Sequence, residues 1–149
     1  MEKADKTSAM VMDDDTKEII RDFLSHSDRI TESLYAELDD TFGKVPFIMK
    51  LLSEKREQFI FNGLGDLYTG RPESLDPKTA EIATIAAAAA CGADKCLGFH
   101  IEAALKSGIT REQILDIILI GAMINRTRSL ATSLRVFEER AGKPGDQEP

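Results

Sequence analysis

Between Ile114 and Ile124 almost every residue is apolar. The stretch follows Thr110-Arg-Glu-Gln113, a capping box in which the N-cap hydroxyl and the glutamine satisfy two otherwise unpaired amides, so it reads as a helix. A helix with so little polar face has to be covered on all sides. It is far too short to cross a membrane. In a 16.4 kDa chain, cover comes either from the chain's own core or from another subunit. Asn125-Arg-Thr-Arg128 then interrupts the run, and Leu130, Leu134 and Phe137 mark a final amphipathic helix.

The remaining segments must supply what packs around it, and they too are helical. From Thr16 to about Thr41, Ile19, Phe23, Ile30, Leu34 and Leu38 recur at helical spacing with charges between them, a long amphipathic helix. The acidic run Asp13-Asp14-Asp15 sits where negative charge meets the positive end of that helix. After Gly43 and Pro46, residues 46–52 and 54–68 read as a short helix and a longer one. Gly63 and Gly65 inside the second are expected at a close helix–helix contact; without a preceding strand or a third glycine they do not make a phosphate loop. Asp76-Pro77 is a strong helix start, an N-cap followed by proline at the first helical position. The alanine run that follows leaves a thin surface that neighbouring helices can approach closely. Gly92 suits a C-terminal cap, and Asp94 an N-cap for a helix over roughly 95–106. No segment alternates with the period of two that a half-buried strand requires. The fold class is all-α. Residues 16–141 are expected to form one helical domain, flanked by a flexible N-terminal segment (1–15) and a flexible tail (142–149).

Charge and cysteine usage bound the function. A net charge of −7 with no dense basic patch argues against nucleic acid and against anionic membranes as partners. The N-terminal residues lack the apolar core of a secretory signal, and two cysteines without an export signal point to a reducing, cytoplasmic setting.

Three residues carry the chemistry. Cys96 and His100 are four apart and share a helix face, and a thiol beside an imidazole is the usual ingredient of an activated cysteine. In the first helical turn, unpaired amides and the helix dipole favour the thiolate, and Lys95 adds positive charge. Glu81 lies on the preceding alanine-rich helix, where a carboxylate needs a local reason. It can hold the imidazole in one tautomer or relay a proton through water. Each residue also has a plainer reading: a small buried thiol, a hydrogen-bonded histidine, a first-turn acid. His26 falls on the apolar stripe of the first helix and reads as structural. Cys91, Cys96, His100 and Glu81 do not have a familiar zinc spacing, so neither a metal nor a cofactor is expected.

From about Gly65 to Met123 the chain resembles the carboxymuconolactone decarboxylase and AhpD-like alkylhydroperoxidase superfamily. The resemblance rests on Asp66-Leu-Tyr-Thr-Gly70, Leu75-Asp-Pro-Lys-Thr-Ala-Glu81, the alanine-rich helix, Cys96-x-x-x-His100 and Ala103-Ala-Leu-Lys-Ser-Gly-Ile-Thr110. It implies an AhpD-like helical bundle assembling into trimers, hexamers or related rings. In the redox branch two thiols cycle through a disulfide, with glutamate and histidine as proton relay, and a hydroperoxide or a partner disulfide is reduced. Glu81, Cys96 and His100 match that branch in register. Its first cysteine position is Ala93 here, which leaves Cys91 as the only substitute resolving thiol, five residues from Cys96 across a turn. The resemblance therefore implies a thiol-dependent oxidoreductase, an antioxidant peroxidase or disulfide reductase. It would act on a small-molecule substrate and draw on a thiol/disulfide electron-donor protein. The decarboxylase members lack the dithiol and act on a lactone carboxylate, which keeps two further readings: a cofactor-free acid–base enzyme using His100 and Glu81, or an oligomeric domain without catalysis. For an anionic substrate, Arg126 and Arg128 are the cations to consider, though both read more simply as surface or interface residues.

Overall fold

The computed structural model describes residues 6–142 and, over these, consists of helices and connections without a strand. The expected tail beyond Gly142 and the first five residues lie outside the described part. The chain forms two compact units, with the boundary between Thr69 and Gly70.

The first unit opens with a short 3-10 turn, Lys6–Ala9, in which Thr7 is buried. Helix α1 (Asp14–Ser25) starts at Asp13, whose carboxylate accepts from the Thr16 amide at 2.8 Å and from its hydroxyl. The acidic run thus caps the helix as its position suggests. These hydrogen bonds, the amide first, hold the Asp13 carboxyl below its ordinary range.

The long helix expected over 16–41 is two helices: α2 (Ser27–Phe42) begins after a break at His26. Neither glycine nor proline makes this break. Ser25 turns its hydroxyl onto the Asp22 carbonyl at 2.6 Å, and the His26 amide donates to the Phe23 carbonyl in a tightened last turn. Short polar side chains compete for backbone groups in this way. His26 itself points to solvent, within 4.0 Å of Asp22, and is not part of a core.

Helices α3 (Phe47–Leu52) and α4 (Arg56–Gly70) complete this unit. Its core is Leu34, Met49, Phe59 and Ile60, extended by the stacked pairs Tyr35–Phe59 and Phe23–Phe61. Gly63 provides the expected close contact, since a Cβ there would lie 3.1 Å from Leu34 Cδ1. Gly65 does not; nothing lies within 4 Å of its Cβ position.

The second unit is built on α5 (Pro77–Cys91), α6 (Asp94–Lys106) and α7 (Arg111–Ala141). Helix α5 starts where Asp76-Pro77 predicts, with the Asp76 carboxylate accepting from the Lys78 and Thr79 amides. It ends on Gly92 in the left-handed region at φ 73°, which an L side chain adopts only with strain. Helix α5 packs against both α6 and α7. The buried residues Ile85, Ala104, Ile109, Ile114 and Ile117 form the core between them. The alanine run permits a very close crossing. A Cβ on Gly121 of α7 would fall 2.4 Å from the Ala86 carbonyl oxygen and 3.1 Å from Ala89 Cβ.

One expectation needs correction here. Asn125-Arg-Thr-Arg128 does not interrupt the helix; α7 runs through it without a break. None of these residues is a helix breaker, and Thr127 settles its hydroxyl on the Met123 carbonyl one turn back at 3.0 Å. Of the two sources of cover left open for the apolar stretch, the chain's own core supplies one side only. Ile114, Ile117 and Gly121 are buried, whereas Leu115, Leu119, Ile120, Met123 and Ile124 are exposed.

Candidate active site

The site is assembled from three pieces of the second unit. Helix α5 contributes Glu81, helix α6 contributes Cys96 and His100, and the connection ahead of α5 contributes Arg71. Glu81 lies on the inward face of α5 with Ala80, Ile85 and Ala88, and only 2 % of it reaches solvent. A carboxylate in that position must be paired or protonated. It is paired twice. Oε2 lies 2.8 Å from His100 Nδ1, and Oε1 accepts from Arg71 Nη2.

The charge state of Glu81 follows from this geometry. Burial pushes its carboxyl up, but the hydrogen bonds from His100 and Arg71, with the positive charge each can bring, outweigh that and leave it below the ordinary value of 4.5. Glu81 is therefore an anion at neutral pH and can only accept hydrogen bonds. Nδ1 of His100 must carry the proton it donates. Nε2 is then the ring position not engaged by Glu81. Of the two roles open to Glu81, fixing the tautomer fits this arrangement, because an ionised carboxylate with both oxygens occupied is a poor proton carrier.

Cys96 sits in the first turn of α6, one turn before His100 on the same helix face. The helix begins one residue earlier than expected. Ala93 is the N-cap, and Asp94 is the first helical residue, its carboxylate accepting from the Lys95 amide at 2.8 Å. The place of Cys96 near the positive end of the helix is unchanged, and Ala93, at the position of the redox branch's first cysteine, marks the very start of α6. Both cysteines are exposed and free of a disulfide, so neither serves as a small buried hydrophobe in the chain's core. Cys91 closes α5 and directs its thiol to the Ala88 carbonyl at 3.6 Å.

Arg71 is the site residue that sequence reasoning missed. Gly70-Arg-Pro-Glu-Ser reads as a mere connection, yet Arg71 supplies the cation to a buried acid ten residues downstream. The available signal was the acid itself: a glutamate in an alanine-rich helix requires a partner, and Arg71 is the cation carried by the connection ahead of that helix. Arg126 and Arg128 are both exposed on α7. Among the described residues no three histidine, cysteine, aspartate or glutamate side chains converge as metal ligands.

Comparison with known proteins agrees with this helical core. Residues 58–139 match the model of the carboxymuconolactone decarboxylase family. No curated protein and no solved structure matches the chain significantly.

Proposed function

The chain belongs to the carboxymuconolactone decarboxylase family, and from that premise we propose that it is a thiol-dependent oxidoreductase working through Cys96. The observation that carries this reading is an exposed cysteine in the first turn of α6, one turn from a histidine whose other ring nitrogen is tied to a buried, ionised glutamate. The order thiol, imidazole, carboxylate is that of an activated nucleophile with an oriented base.

The chemistry follows. His100 Nε2 accepts the Cys96 thiol proton while Glu81 stabilises the imidazolium. The thiolate attacks the terminal oxygen of a hydroperoxide, forming an S–O bond and breaking the O–O bond. The departing alkoxide takes the proton back from His100 and leaves as an alcohol, and Cys96 is left as a sulfenic acid. Cys91 is the proposed resolving thiol. Its attack on the sulfenic sulfur releases water and forms a Cys91–Cys96 disulfide, which a dithiol donor protein returns to two thiols as its own pair is oxidised.

The experiment is mass spectrometry of thiol state after mild hydroperoxide treatment of the reduced protein, in wild type and Cys91→Ser. The expected result is a Cys91–Cys96 disulfide in wild type and a trapped sulfenic acid in the variant. Two thiols that stay reduced, or Cys96 alone advancing to sulfinic and sulfonic acids in wild type, would sink the two-thiol cycle.

A second reading has its own support: the Arg71–Glu81–His100 arrangement is complete without any thiol. It suits acid–base chemistry on a small carboxylate or lactone of the decarboxylase kind. Cys96→Ser separates the two, abolishing activity under the first reading and sparing it under the second.

We also propose that the protein works as a homo-oligomer, a trimer or hexamer, joined through α7. From Ala122 onward every described residue of this helix is exposed, a length of about 30 Å at the rise of an α-helix. Ile120, Met123, Leu130, Leu134 and Phe137, with Thr127 among them, follow the alternating three- and four-residue spacing of a helix–helix seam. A helix stretch without packing is marginal by itself, and a second copy presents the same seam.

A further inference from the structure

We infer that Arg71 is a positioning residue: its guanidinium holds Glu81 as an anion against His100, so that Nδ1 of the imidazole stays protonated and proton exchange runs through Nε2 alone. The inference deepens the reading of Cys96 and His100 as reacting groups and rests on it.

The guanidinium is fixed from several directions. Nη2 donates to Glu81 Oε1, and Nη1 donates to the Gly70 carbonyl at 3.1 Å, so the fork is tied to its own backbone as well as to the acid. Pro72 follows and restricts the Arg71 backbone to extended conformations. The cation therefore does not swing freely with the connection that carries it. With 31 % of its side chain exposed, it remains solvated enough to keep its charge without further partners.

The consequence for His100 is one of charge balance. Glu81 is acted on electrostatically by His100 from α6 and by Arg71 from the connection before α5. Cys96 is the titratable group on the same face of α6 as His100. With Arg71 present, the buried carboxylate is already compensated, and the imidazole can stay neutral and act as a base. Without Arg71, Glu81 and His100 would be left to neutralise each other. The pair would then take up a proton, as imidazolium beside carboxylate or as a protonated acid. Either form spoils the arrangement: the first is no longer a base toward Cys96, and the second no longer dictates the tautomer.

The test is NMR of the two histidine rings in the full chain. In wild type at neutral pH the ring nitrogens of His100 are expected to show a neutral imidazole protonated at Nδ1. A ring protonated at Nε2, or an imidazolium at pH 7, overturns the inference without any variant being made. In Arg71→Gln, which keeps donors but removes the cation, the ring nitrogens of His100 at the same pH are expected to depart from that pattern, as an imidazolium or as a mixture of tautomers. Arg71→Lys should bring the wild-type pattern back. An unchanged neutral, Nδ1-protonated ring in folded Arg71→Gln also overturns the inference. If the ring pattern changes while Cys96 stays inert to hydroperoxide, the thiol reading fails and the role of Arg71 stands.

Discussion

Glu81 shows how one buried charge organises its surroundings. Its position in an alanine-rich helix already marked it as a residue that needed a partner, and the register with Cys96 and His100 named one of them. The other was illegible because Arg71 lies in a short connection, where a side chain's direction is set by the turn and by Pro72 and not by any periodicity. The pairing has a consequence in acid. Glu81 is held below its ordinary value, so its contribution to stability is fully present above about pH 4.5 and is lost as pH falls through the lower folded-state value. Glu81→Gln should remove that contribution and strand Arg71. Breaking such a pair costs about 2–4 kcal/mol, discounted because Arg71 keeps 31 % of its side chain in solvent. Urea denaturation at several pH values checks this. Wild type should lose stability on acidification below 4.5 beyond the loss in the variant, and parallel curves would show that Glu81 is not held as described.

At the scale of elements, the caps were the most legible features: Asp13, Asp76 with Pro77, Gly92 and the Thr110–Gln113 box all sit at helix ends. Each works through its own short-range hydrogen bonds or backbone freedom, which is why local sequence reveals it. Breaks were harder. Ser25-His-Ser27 ends a helix without glycine or proline, and Asn125-Arg-Thr-Arg128 does not end one despite its polarity. Both outcomes depend on which hydroxyl finds which carbonyl. The crossing of α5 and α7 carries the sharpest steric constraint in the second unit. Gly121→Ala would drive a methyl group onto the Ala86 backbone carbonyl, which cannot rotate away. The expected cost is about 1–3 kcal/mol, typical of overpacking. Gly65→Ala is the control: its methyl meets open space, and replacing glycine inside a helix should add about 0.5–1 kcal/mol. Thermal melts that rank the two variants in the opposite order would contradict this crossing.

For the molecule as a whole, the apolar helix that dominates the sequence is only half accounted for within one chain. Ile114 and Ile117 enter the core, while Leu119, Ile120 and Ile124 face outward. Sequence reasoning identified the need for cover but not its source, since hydrophobicity has no direction and a core and a subunit interface ask for the same residues. Leu130→Lys, in the seam and away from the site residues, is expected to reduce the solution mass toward the 16.4 kDa of one chain. Light scattering reads this directly, and a wild type that is already monomeric would remove the basis for assembly through α7. The chemistry is tested most directly at Cys96 itself. In a Cys91→Ser background, the rate at which hydrogen peroxide consumes the Cys96 thiol at neutral pH should fall about a hundredfold or more in His100→Ala, the lower range for loss of a positioned base. An unchanged rate would contradict the assignment of His100, held by Glu81, as the base that activates Cys96.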